Sequence, residues 1–237
     1  TIISGGGNDI IIGTGGDDII NAGDGVDTVT VVAGADVITP GGGIDILIIT
    51  GTDAIDTIKL ADAEIGVATA AANSVAADQV TGFEFASGKD ILNIDISAII
   101  AIDGVTALKM VGNGAIDVAA GAGVLQSGGA NATTMEGDTV NYLEVQSGGN
   151  DGAALETLLE VNGGRDLTTD GVWTVGESFL VLSDNNIDTM LYLIVVQAAT
   201  NSGVTFAVGA LLAVELIDLV GVVNATASHA DNFVFVS

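Results

Sequence analysis

From Ser4 onward a large aliphatic residue returns at every ninth place: Ile11, Ile20, Val29, Ile38 and Leu47. Around these residues the chain divides without gaps into five nonads, SGGGNDIII, GTGGDDIIN, AGDGVDTVT, VVAGADVIT and PGGGIDILI. The fourth place is always glycine (Gly7, Gly16, Gly25, Gly34, Gly43) and the sixth always aspartate (Asp9, Asp18, Asp27, Asp36, Asp45). The last three places predict a very short strand whose middle side chain faces inward while its neighbours face out. The first six predict a tight turn that brings backbone carbonyls inward, where glycine accepts positive φ at little steric cost. One turn and one strand per nonad make a coil of two nonads, and stacked coils put a parallel sheet on each side. Aspartates of stacked turns then form columns about 4.8 Å apart. Unpaired carboxylates at that spacing repel one another, so the columns call for cations between them.

The same pattern marks where the repeat runs. Thr1, Ile2 and Ile3 read as places 7 to 9 of a preceding nonad with Ile2 inward, so the coil is expected to be running before residue 1. The block ITGTDAIDT loses its glycine and aspartate places, but a two-residue slip restores them in part as GTDAIDTIK, with Asp56 and Ile58. A later echo, FASGKDILN at 85–93, keeps Gly88, Asp90 and Leu92. A β-hairpin, with FEF and ILNIDI around an SGKD turn, is a second reading of that stretch. The alanine-rich residues 61–80 between these segments read as a loop or short helix over the end of the coil.

After about residue 103 the nonads stop. DGAALETLLEVNGG predicts a helix capped by Asp151, with Leu155, Leu158 and Leu159 on one face and a glycine pair to end it. SFLVL and TMLYLIVVQ predict a hairpin around SDNNID, and AVELIDLVGV and NFVFV predict further strands. The expected fold class is all-β for the most part: a parallel β-roll or solenoid followed by a β-rich C-terminal domain with one or two short helices. Its expected divisions are 1–60 (roll), 61–102 (closing segment) and 103–237 (C-terminal domain).

Charge narrows the function. Against 31 Asp and Glu stand four basic residues, Lys59, Lys89, Lys109 and Arg165, giving a formal net charge of -27. Such a chain repels nucleic acid and anionic membrane surfaces and attracts cations. High charge with low hydropathy would signal disorder, but the mean hydropathy is +0.61, and a chain this apolar can fold once its carboxylates are neutralised. Cysteine is absent, which excludes disulfides and thiolate metal sites. His229 is the one histidine, which excludes multi-histidine zinc centres, and Ser228, His229 and Asp231 are sequence neighbours without the spacing of a catalytic triad. One Trp and two Tyr are too few to line a sugar cleft, so intrinsic catalysis is not expected. A phosphate loop of the G-x-x-x-x-G-K-[ST] kind is missing. A Gly-rich linker would not keep an aliphatic residue at each ninth place. Neither a cationic leader before an apolar stretch nor a run of about 18 apolar residues is visible.

The nonads resemble the G-G-x-G-x-D-x-U-x repeat of RTX proteins, calcium-binding parallel β-rolls secreted by bacterial type I systems. The resemblance implies Ca²⁺ between turns two nonads apart, held by both sixth-place carboxylates and by carbonyls of places 1 to 4. All-oxygen ligation of that kind suits a hard cation. On the odd side the implied ligands are Asp9, Asp27 and Asp45 with the turns Ser4, Gly5, Gly6, Gly7; Ala22, Gly23, Asp24, Gly25; and Gly41, Gly42, Gly43. On the even side they are Asp18 and Asp36 with Gly13, Gly15, Gly16 and Gly34. The second place is Gly5, Gly23 and Gly41 on the odd side but Thr14 and Val32 on the even side, which marks Asp18/Asp36 as the weaker site. The stretch VTGFEFASGKDILNIDISAI resembles the segment that closes RTX rolls, the helix-then-strands order ending in ELIDLVGV resembles RTX-class surface-layer proteins, and DNFVFVS resembles the end of type I secretion substrates. Together these imply a secreted, cell-surface structural protein that folds on Ca²⁺ and assembles with itself into a layer or filament, with a cell-surface glycan as a candidate second partner. The alternative implied is the calcium-stabilised secretion module of a longer adhesin or exoenzyme.

Overall fold

A computed structural model describes residues 1–51, 54–60, 77–84, 89–95, 107–108, 125–127, 133–134, 143–146, 152–160, 167–168, 172–184, 187–201, 204–222 and 232–236. Within the repeat, successive strands alternate between two sheets. The first sheet takes β1 (Ile2–Gly6), β3 (Ile19–Asp24), β5 (Val37–Gly42), β7 (Thr57–Leu60) and β9 (Ile91–Asp95), in that order and all parallel. The second takes β2 (Ile10–Ile12), β4 (Thr28–Val31), β6 (Ile46–Ile49) and β8 (Asp78–Thr81), again parallel. Register follows the nonads: Ile2 pairs with Ile20 and Ile20 with Ile38, while Ile11 pairs with Val29 and Val29 with Leu47. These eighth-place residues interdigitate in one core, where Ile20, Val29, Ile38, Leu47, Ile58 and Leu92 are all fully buried. Their neighbours on each strand face out, as the two-residue period of a strand requires.

Both sheets continue into the C-terminal half. β17 (Leu211–Val220) adds in parallel to β8, pairing Ile217 with Asp78 and Val220 with Thr81. Behind it β16 (Thr189–Val196) and β15 (Glu177–Asp184) run antiparallel, the latter two as the hairpin the sequence predicts, with Asp184 opposite Thr189. β13 (Leu143–Gln146) and β11 (Leu125–Ser127) extend this sheet, β10 (Ala107–Leu108) pairs with β15, and β12 (Thr133–Thr134) pairs with β14 (Leu167–Thr168) in a separate ribbon. β18 (Phe233–Val236) completes the first sheet beside β9. Neither sheet closes on itself. Among the described residues one short helix, α1 (Gly152–Leu159), buries Leu155 and Leu159 against a second core built on Trp173, Phe179 and Phe206, whose rings meet at centroid distances of 5.4 to 6.4 Å. Asp151, the expected cap, lies outside the described residues, as does the side chain of Leu158.

Two local expectations are corrected. Residues 78–80 belong to β8 rather than to a loop or helix, because Val80 sits fully buried between Leu47 and Leu219 at the eighth-place level. Ile91–Asp95 is a parallel strand between β7 and β18, and no antiparallel partner pairs with it among the described residues, so the hairpin reading fails.

Candidate metal centre

The sixth-place aspartates stand where each turn enters a strand, and from the second coil on their side chains solve a backbone problem there. The Asp9 N–H donates to Asp27 Oδ1 at 2.7 Å, and the Asp27 N–H to Asp45 Oδ1 at 2.7 Å. The backbone carbonyl of each accepts from the next coil as well, from Thr28 N for Asp9 and from Ile46 N for Asp27, both at 2.9 Å. A side-chain oxygen thus supplies the acceptor that the strand ladder lacks at its first residue, and no buried amide is left open. The even column repeats the scheme, Asp18 N to Asp36 Oδ1 at 2.7 Å and Asp36 N to Asp56 Oδ1 at 2.8 Å.

Both ladders outlast the nonads. Asp56 N donates to Asp90 Oδ1 at 3.0 Å, so the slipped repeat and the later echo take the places that the sequence suggests. On the odd side Asp45 N donates to Asp78 Oδ1 at 2.8 Å. Asp78 escaped the sequence reading because 33 residues separate it from Asp45. Its signal was the run Asp78-Gln-Val80, an aspartate two places before an inward aliphatic residue.

The two columns differ at the second carboxylate oxygen. At the two ends of the even column it is held by the protein: Thr14 donates to Asp18 Oδ2 through its N–H at 2.8 Å and its Oγ1 at 3.0 Å, and Glu84 N donates to Asp90 Oδ2 at 2.8 Å. These bonds from Thr14 hold the Asp18 carboxyl below its ordinary value. Deeper in that ladder burial takes over and pushes Asp36, Asp56 and Asp90 up, Asp56 to about 6. On the odd side Asp27 is fully buried and its Oδ2 meets no hydrogen-bond donor among the described residues. At the outer end of that column Asp9 Oδ2 accepts from Ser4 Oγ. At the inner end burial, opposed by the Asp45 amide and reinforced by the Asp45 charge, pushes Asp78 up to about 7.

The turns differ in the same sense. Odd turns carry positive φ at both the second and fourth places, at Gly5 and Gly7, Gly23 and Gly25, Gly41 and Gly43; in the even turns Gly34 is the one positive-φ glycine. Stacking is close enough to exclude a side chain, since a Cβ on Gly41 would lie 2.0 Å from Gly23 O. The odd turns therefore stack glycine on glycine, with the Asp24 and Gly42 carbonyls accepting from Gly7 N and Gly25 N at 2.7 and 2.6 Å. A buried anionic oxygen without a donor is costly, and a cation coordinated there would supply its partner. No three His, Cys, Asp or Glu side chains converge among the described residues, so an ion would depend on carbonyl oxygens for most of its shell. That donor set fits a hard divalent ion such as Ca²⁺ and suits neither zinc nor copper. No protein family and no curated protein matches this chain. Among the described residues no helix is long and apolar enough to cross a membrane.

Proposed function

We propose that the chain is a calcium-stabilised structural module of a secreted bacterial protein, with an RTX-type β-roll over residues 1–60, that assembles with copies of itself into a surface layer or extracellular filament. The observation that carries the metal reading is Asp27 Oδ2, buried without a donor in the column flanked by positive-φ glycine turns. Asp9, Asp27 and Asp45 with the carbonyls of the three odd turns would hold the ions. The even column, whose turns carry Thr14 and Val32 at the second place and a positive φ at Gly34 alone, would bind calcium more weakly or not at all. Bound Ca²⁺ would supply charge neutralisation and cross-link successive turns. At millimolar external calcium and a dissociation constant of about 10⁻⁴ M, each ion would add roughly 1.4 kcal/mol to stability. Assembly is supported by the resemblance to RTX-class surface-layer proteins.

Electron microscopy with and without EGTA tests this reading. Ordered sheets or fibres that dissolve on chelation are expected. A chelation-sensitive monomer would instead favour the secretion module of a longer protein, and strand circular dichroism indifferent to EGTA, with no metal in the purified protein, would sink the calcium reading.

A further inference from the structure

The three odd turns do not present their aspartates equally. Asp27 and Asp45 are fully buried, and Asp27 Oδ2 meets no donor among the described residues. Asp9 is partly exposed, and its Oδ2 accepts from Ser4 Oγ. Ser4 stands at the first place of its nonad, and that place in the next two odd turns holds Ala22 and Pro40, which carry no hydroxyl. The bond is therefore confined to one odd turn of the three. Across the roll Thr14 holds Asp18 Oδ2 in the same way, and the even turn that follows, VVAGAD, again has no hydroxyl.

The odd column offers one ion position between Asp9 and Asp27 and another between Asp27 and Asp45. At the second, both carboxylates are already withdrawn from water and fixed by the ladder, so a hard cation meets a rigid, anionic donor set with little solvent to displace. At the first, water competes for Asp9, and an ion that takes Asp9 Oδ2 weakens or breaks a hydrogen bond from Ser4 to an anionic acceptor. We propose that the Ser4 hydroxyl is a lock on Asp9 that makes the two positions unequal, so that the ion between Asp27 and Asp45 enters at lower calcium concentration than the ion between Asp9 and Asp27. This rests on the calcium reading above and adds the order in which the column fills.

A Ca²⁺ titration of the EGTA-stripped chain by calorimetry, with the Gly7 and Gly43 amides followed by NMR, separates the two steps. Gly43 lies in the turn of Asp45 and should shift first; Gly7 lies in the turn of Asp9 and should shift at a midpoint at least about fivefold higher. Ser4→Ala keeps the backbone carbonyl and removes the hydroxyl of an exposed side chain. It should lower the Gly7 midpoint about three- to tenfold and leave the Gly43 midpoint within about twofold of the parent. Ser4→Thr keeps a hydroxyl and should keep the parent's gap. Gly7 and Gly43 shifting together or in the reverse order, or a Gly7 midpoint that Ser4→Ala leaves in place or raises, overturns the lock while leaving calcium binding standing. A titration in which neither amide shifts and no heat is exchanged overturns the calcium reading itself, and the lock with it.

Discussion

Replacing Asp27 by asparagine separates its two roles. Asparagine keeps the acceptor for the Asp9 amide but removes the anionic oxygen that has no donor. The calcium-free fold should survive, with strand circular dichroism unchanged, while the calcium midpoint of thermal stabilisation moves up roughly tenfold or more. Asp18→Asn should leave that midpoint nearly where it was, since Thr14 already holds the Asp18 carboxylate. At the turns, Gly41→Ala forces a Cβ to within 2.0 Å of Gly23 O at a φ of +96°, and should cost at least about 1–2 kcal/mol in urea unfolding. Gly6→Ala is its control, because nothing lies within 4 Å of a Cβ there and φ is not positive. Glycine and aspartate could be read as repeat places because nine-residue spacing is a local property of the chain. What spacing could not reveal was that an aspartate answers first to its neighbour's amide, a need visible only once two coils are stacked.

Among the elements, those with local periodicity were legible. The inward place predicted the buried residue of β2 through β7, the apolar runs around SDNNID predicted the β15–β16 hairpin, and leucines at helical spacing predicted the helix. Partner choice was not. β17 joins β8, and β18 joins β9, because those strands offer open edges at the end of the stack, and edge availability leaves no local trace in sequence. β8 covers β17 only from Ile217 to Val220. Beyond that, α1 and the residue that follows it take over: Glu160 accepts from Gly209 N at 2.8 Å and Leu211 N at 3.0 Å, and Glu156 from Ala213 N at 2.7 Å. Two carboxylates thus serve where a strand is missing. Glu160 is buried, so Glu160→Ala strands two amides and should lower stability by about 2–3 kcal/mol, with the loss of Tm read by calorimetry. A variant as stable as the parent would show that α1 is held by its leucines alone.

For the whole molecule, acidity couples to pH through burial. Glu215 on β17 is pushed up to about 7 by burial and by the charge of Asp218, and Asp218 to about 6 by burial and by the charge of Asp188. Both exceed their ordinary values of 4.5 and 3.8, so the folded state holds these protons more tightly than the unfolded chain does. Their stabilisation is complete below about pH 4 and is lost as pH rises through about 6 to 7. In EGTA the Tm should therefore fall between pH 5 and pH 8, and Glu215→Gln should flatten the profile. A Tm that climbs over the same interval would contradict this account. The joining of β18 to β9 carries a different consequence, one of timing. Asn232, just ahead of β18, donates to Asp90 O from 142 residues along the chain. Until that late segment arrives, β9 is a bare strand edge, the kind of template on which foreign strands nucleate aggregates. Closing a loop that long is slow, so the interval is set by topology rather than by the stability of either strand. Deleting the residues of β18 would leave the repeat's own hydrogen bonds intact and still convert a soluble folding reaction into one that competes with aggregation.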